Sequence, residues 1–252
     1  MTAGRGWCRR ELSDRPNTDK TTLASAFSDP LAMRFKLIVF DWDGTLMDSE
    51  ARIVACIQQA AADAGLPVPS DAAARDIIGL GLLEAVQRLF PEVGRPDVDG
   101  LVDAYRRHWL GEAIEPARMF AGAQQMIEGL HTAGHLLAVA TGKSRRGLDK
   151  ALAESGLGDW FHTTRCADET LSKPHPQMLE EILCDLDTRP QAAVVVGDTE
   201  YDMQMAASAG VDAVAVAHGV HAPERLVAAG ALACFEDLPA LSQWLSAPTL
   251  DS

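Results

Sequence analysis

Positive charge is what this chain has least of. Lys and Arg number 22 against 36 Asp and Glu, a formal net charge of −14, and only five of the 252 residues are lysine. So acidic a composition does not favour nucleic-acid phosphates or anionic membranes, and neither is expected as a partner. Long apolar runs are missing as well. No segment approaches the ~18 consecutive apolar residues of a membrane-crossing helix. The cysteines Cys8, Cys56, Cys166, Cys184 and Cys234 are odd in number and lack the close spacing of a metal site. That usage points to reduced thiols and a cytoplasmic setting. Internal repeats and low-complexity segments are absent. Residues 1–32 lack both a helical or strand period and the apolar stretch of a signal peptide. With Met33 just before the first core strand, they read as a disordered extension or as the product of an upstream start codon. The remainder, in a chain that is 47% hydrophobic, can bury one substantial core and a smaller lobe.

What is present is a set of apolar strands that end in chemistry-bearing residues. Phe35 to Phe40 reads as a buried strand and runs directly into Asp41-Trp42-Asp43-Gly44-Thr45. In an open parallel sheet, ligands bind beyond the carboxyl ends of the strands, which is where these two acids stand. A calcium loop of the EF-hand type is excluded, because Thr45 occupies its third acidic position and a strand precedes the acids. Downstream, Ala193 to Val196 forms another β-branched run that ends in Gly197-Asp198-Thr199-Glu200-Tyr201-Asp202. Asp198 and Asp202, four residues apart across a loop and first helical turn, can face one point. Two carboxylates about 4 Å apart repel by roughly 4 kcal/mol at an effective dielectric of 20, so such a cluster calls for a cation. A cysteine-free, all-oxygen donor set suits magnesium better than zinc. Glu200 reads as a helix-capping acid rather than a ligand.

Two further strand ends carry polar groups. Leu136 to Ala140 leads into Thr141-Gly142-Lys143-Ser144, where a hydroxyl and backbone amides at a strand-to-helix turn form an anion cradle. It is not a Walker A loop, since Leu137 stands where that loop needs glycine. Ser172-Lys173-Pro174 places one of the few lysines in a stiff turn ahead of a helix, a candidate phosphate contact. Between Ser49 and about Pro116 the apolar residues recur at helical spacing, with breaks at Gly65-Leu66-Pro67 and Pro91 to Gly94. Beyond this insert, strands at 136–140, 162–167, 193–197, 213–217 and 232–235 alternate with helices near 121–133, 144–155, 175–185 and 200–209. That alternation predicts a parallel sheet with helices on both faces.

The D-x-D-G-T, strand-Thr-Gly, S-K-P and G-D-x-x-x-D segments, in this order and spacing between Phe35 and Asp237, resemble the haloacid dehalogenase superfamily. Within it the likeness is to phosphatases of small metabolites such as the phosphoglycolate phosphatases. The resemblance implies an α/β fold, a Rossmann-like core at 33–48 and 117–252 with an inserted α-helical cap at 49–116. It also assigns roles: Asp41 as nucleophile, Asp43 as general acid and base, Thr141 with Gly142 as phosphate contacts, and Lys173 as partner of nucleophile and phosphate. Magnesium would be held by Asp41, by the backbone carbonyl of Asp43 and by Asp198, with Asp202 as a ligand or supporting partner. Gly79 and Gly81, in the Ile78-to-Leu82 stretch of the cap, would let backbone approach the substrate closely. The expected activity is hydrolysis of a small phosphorylated metabolite, phosphoglycolate foremost, by a monomer or homodimer. A sugar phosphomutase of the same fold and a non-catalytic binding module are the alternatives. A metal-free dehalogenase would have no use for Asp43, Asp198 and Asp202. A Schiff-base phosphonate hydrolase needs a cap lysine, and none lies between Lys36 and Lys143.

Overall fold

The computed structural model describes residues 33–111 and 117–247, so the reading of residues 1–32 lies outside the described residues. The chain runs β1 (Leu37–Phe40), β2 (Met47–Asp48), α1 (Glu50–Asp63), α2 (Asp71–Asp76), α3 (Leu82–Leu89), α4 (Arg95–Leu110) and β3 (Arg118–Met119). It continues through α5 (Ala123–Thr132), β4 (Leu136–Thr141), α6 (Arg145–Ser155), β5 (Thr163–Cys166) and α7 (Gln177–Asp185). The last elements are β6 (Ala193–Gly197), α8 (Glu200–Ala209), β7 (Asp212–Val216), α9 (Pro223–Ala228), β8 (Cys234–Phe235) and α10 (Leu238–Leu245).

Six strands pair in the order β5-β4-β1-β6-β7-β8, every pair parallel. The first strand is central because it is apolar on both faces. Ile38 and Phe40 pack in one core with α5 and α10, while Leu37 and Val39 pack in a second with α7 and α8. Each such side chain contributes roughly 1.5–3 kcal/mol through burial. From β1 the chain builds outward on one side through β4 and β5, then crosses back to β6 on the other. That reversal opens the crevice at the carboxyl ends of β1, β4 and β6.

Helices α1 to α4 bury a third core of their own around Ile57, Val86 and Leu101. The two ends of this insert are pinned together by a short antiparallel ribbon, in which Met47 faces Met119 and Asp48 faces Arg118. Helix starts follow the local chemistry. Ser144 accepts from the Gly147 amide at 3.3 Å, Asp237 accepts from the Ala240 amide at 2.8 Å, and Thr199 and Asp202 form a capping box at α8. The first strand begins at Leu37, two residues later than the sequence suggested.

Candidate active site

Four strand ends bring the candidate residues together. β1 delivers Asp41 and Asp43, and β4 ends in Thr141. The segment after β5 carries Ser172 and Lys173, and β6 leads to Asp198 and to Asp202 in the first turn of α8. Asp41, Thr141, Lys173, Asp198 and Asp202 are all at most 2% exposed. A buried charge survives only with a partner, and Lys173 is the partner here. Its Nζ lies 2.8 Å from Asp41 Oδ1 and 2.7 Å from Asp202 Oδ1. Burial alone would lower the Lys173 pKa, but Asp202 and Asp41 hold it above its ordinary value. The second Asp202 oxygen accepts from the Thr199 amide at 3.1 Å and the Thr199 hydroxyl at 2.7 Å. Asp202 is therefore fixed by its own helix cap and in turn fixes Lys173.

Asp41 is held on one side only. Its Oδ1 also accepts from the Trp42 amide at 2.6 Å, whereas Oδ2 is buried without a hydrogen-bond partner. Burial pushes this carboxyl up to about 7 in spite of Lys173, with Asp202 and Asp43 pushing the same way. Burial likewise raises Asp198, reinforced by Asp41 and Asp202, even though Thr45 donates to Oδ1 at 2.8 Å and the Val220 amide to Oδ2 at 2.9 Å. One oxygen each from Asp41, Asp198 and Asp202 lie within 4.8 Å of one another. Three buried carboxylates with one ammonium among them are short of positive charge. An orphaned Asp41 oxygen and an oxygen-only donor set fit a hard divalent cation. The approach to Asp198 is tight. Gly44 has φ +81°, and a Cβ there would overlap the Asp198 carboxylate, so the turn after β1 requires glycine.

Asp43 sits in a different environment, one that sequence reasoning missed. Its Oδ1 accepts from the Ser49 hydroxyl at 2.5 Å, and its Oδ2 lies 2.9 Å from Lys143 Nζ. Ser49 stands at the N-cap position of α1 but makes no cap bond, its hydroxyl going to Asp43 instead. The Lys143 side chain is only 8% exposed and its Nζ lies 4.2 Å from the Trp109 ring centroid in α4. Lysine scarcity and the strand-end position of Thr141-Gly142-Lys143 were the available signals. Thr141 Oγ1 accepts from the Lys143 amide at 3.2 Å, which shapes the turn.

The loop between α2 and α3 does come to this site, but its glycines first serve packing against the core. Gly79 has φ +99°, and a Cβ there would press on Thr199 and Tyr201. The Gly81 amide donates to Ser172 Oγ at 2.6 Å. Gly142 answers from the core side, where a Cβ would overlap the Leu80 carbonyl. Polar contacts add to the docking: Tyr201 donates its hydroxyl to the Asp76 carbonyl at 2.7 Å, and Arg225 pairs with the Asp76 carboxylate at 2.5 Å. Glu200 pairs with Arg225 at 2.5 Å and so acts outside the acid cluster. Between insert and core lies a cavity of about 740 Å³ that reaches Asp41, Asp43, Gly79, Gly81, Gly142 and Lys143.

Comparison with known proteins places this geometry. The family model of the haloacid dehalogenase-like hydrolases matches residues 38–216. A Dickeya dadantii protein named probable phosphatase IndB is 33% identical over 77% of this chain and 86% of its own length. A phosphoglycolate phosphatase of Rhodospirillum rubrum is 30% identical over 84% of this chain and 92% of its own. The crystal structure of a predicted phosphoglycolate phosphatase from Haemophilus somnus has the same fold. It superposes with a TM-score of 0.76 at 24% identity, covering 84% of this chain and 98% of that one.

Proposed function

The chain belongs to the haloacid dehalogenase-like hydrolases, and from that premise we propose that it is a magnesium-dependent phosphomonoester hydrolase of small phosphorylated metabolites, working through a phosphorylated Asp41. One observation carries the reading above the others. Asp41 is a buried carboxylate with one oxygen fixed by Lys173 and the Trp42 amide and the other without a partner. A nucleophile held that way is oriented before substrate arrives.

Attack by Asp41 on phosphorus forms an acyl phosphate and releases the alcohol, replacing one difficult hydrolysis by two easier displacements. Asp43 protonates the departing alkoxide and then takes the proton of the water that cleaves the acyl phosphate. Ser49 and Lys143 hold the Asp43 carboxylate in one orientation through both steps. An ammonium has three donors, and two of those on Lys173 are spent on Asp41 and Asp202. The third is available to a phosphoryl oxygen, alongside the Thr141 hydroxyl and the backbone at Gly142. Asp41, Asp198 and the backbone carbonyl of Asp43 would hold magnesium, which would supply the positive charge that offsets carboxylate–phosphate repulsion. Asp202, with both oxygens engaged, positions Lys173. Helices α1 to α4 act as a cap that keeps water from the reacting groups, with the Gly79–Gly81 loop at its contact with the core.

Relatives named phosphoglycolate phosphatase make phosphoglycolate the first substrate to test. The experiment is a phosphate-release screen over small phosphate esters with magnesium, with chelator, and with Asp41→Asn. Release that requires both magnesium and Asp41 supports the reading. Release undiminished in chelator or in Asp41→Asn overturns it.

A further inference from the structure

The cavity beside Asp41 and Asp43 is larger and more apolar than a two-carbon ester requires. Its volume, about 740 Å³, falls in the roughly 300–1,000 Å³ range of pockets that enclose drug-sized ligands. Beyond the reacting groups its wall is made by Ile53 and Ile57 of α1, Leu82 and Leu83 of α3, and Tyr105 and Trp109 of α4. Of the cations that line it, Lys143 pairs with Asp43 at 2.9 Å, Arg106 pairs with Asp103 at 3.3 Å and Arg146 is exposed, while Glu84, Asp99 and Asp168 add negative charge to the lining. A carboxylate laid against the apolar wall would give up its hydration without gaining an ion pair there. A hydrocarbon group in the same place would gain from leaving water.

We propose that the preferred substrate is the phosphate monoester of a bulky, largely apolar alcohol, whose hydrocarbon part lies against α1, α3 and α4, in preference to phosphoglycolate. This rests on the phosphomonoesterase reading above and leaves its chemistry unchanged. The phosphorus–oxygen bond to the alcohol breaks as the Asp41–phosphorus bond forms, Asp43 gives its proton to the alkoxide, and water then returns Asp41 and yields inorganic phosphate.

The test uses the full chain with magnesium and compares ethyl phosphate, phosphoglycolate and 2-phenylethyl phosphate. All three are alkyl esters, so differences in rate report binding more than leaving-group reactivity. A single extra methylene in an apolar pocket changes kcat/KM by about 10–200-fold, so 2-phenylethyl phosphate is expected to exceed both others by at least about tenfold. Leu83→Phe and, separately, Ile57→Phe, each checked by thermal melting, fill the cavity and should reduce that ratio severalfold. Equal or faster turnover of phosphoglycolate overturns this proposal while leaving the hydrolase reading intact. So does a ratio that neither substitution moves. Absence of magnesium-dependent release from all three esters overturns the hydrolase reading, and this proposal with it.

Discussion

Replacing Lys173 by methionine tests the electrostatic design of the site most sharply. The side chain is fully buried and its ammonium bridges Asp41 at 2.8 Å and Asp202 at 2.7 Å. Removing one member of a buried ion pair leaves the other uncompensated, which costs about 3–5 kcal/mol. For a domain of this size that is a fall of roughly 6–20 °C in Tm. The loss should depend on pH with a defined sign. Burial raises Asp41 from 3.8 to about 7 even with Lys173 present. A carboxyl with a folded value above its unfolded one binds more protons folded than unfolded between the two. In chelator, stability therefore falls as pH rises through that window, by about 4 kcal/mol for Asp41 alone at 1.36 kcal/mol per pH unit. Without the lysine the acids protonate more readily, so Lys173→Met should lose most at pH 8 and least at pH 5. The assay is thermal melting of both proteins in chelator across that range. An unchanged Tm at pH 8, or a larger loss at pH 5 than at pH 8, would show that Lys173 does not offset the charge of these acids.

Three further outcomes are expected. Asp43→Asn should lower turnover of alkyl phosphates by about 10²–10⁴-fold yet still phosphorylate Asp41 from an aryl ester whose leaving group needs no proton; equal loss on both ester types in single-turnover measurements would remove Asp43 from the proton-transfer role. Calcium should inhibit in steady-state competition with magnesium, because its larger, looser coordination sphere misaligns the attacking oxygen and phosphorus; full turnover with calcium alone would argue against the metal assignment. Gly79→Ala combines strain at φ +99° with overlap on Thr199, at about 1–3 kcal/mol for the backbone strain, and should speed amide exchange in residues 77–81; unaltered exchange would show that the loop is not locked by its glycines.

The sheet and the acid cluster were legible because their signals are local. A short apolar run followed at once by Asp, Thr or Gly-Asp marks a strand end, and β1, β4 and β6 fall where those runs do. Lys173 could be singled out since lysine is scarce and this one precedes a helix in a proline-flanked turn. The environment of Asp43 was not legible. Its partners Ser49 and Lys143 reach it from α1's start and from the turn after β4, and Trp109 covers Lys143 from α4. Only the folded path of the chain brings those segments together. The glycines of the 78–82 stretch announced an unusual backbone but not what approaches it. The close contact proved to be with Thr199, Tyr201 and Gly142 of the core. Cavity size was invisible for the same reason, since periodicity finds apolar helix faces without saying how far apart they stand.

In the proposed hydrolysis, phosphate passes through Asp41. Mixing enzyme, magnesium and a phosphate ester, quenching in acid within milliseconds and mapping the adduct by peptide mass spectrometry tests it directly. One acid-stable, base-labile phosphate is expected on the peptide carrying Asp41, formed as fast as the alcohol is released and absent from Asp41→Asn. Turnover at full rate with no phosphorylated peptide, or with the phosphate on another residue, would contradict it.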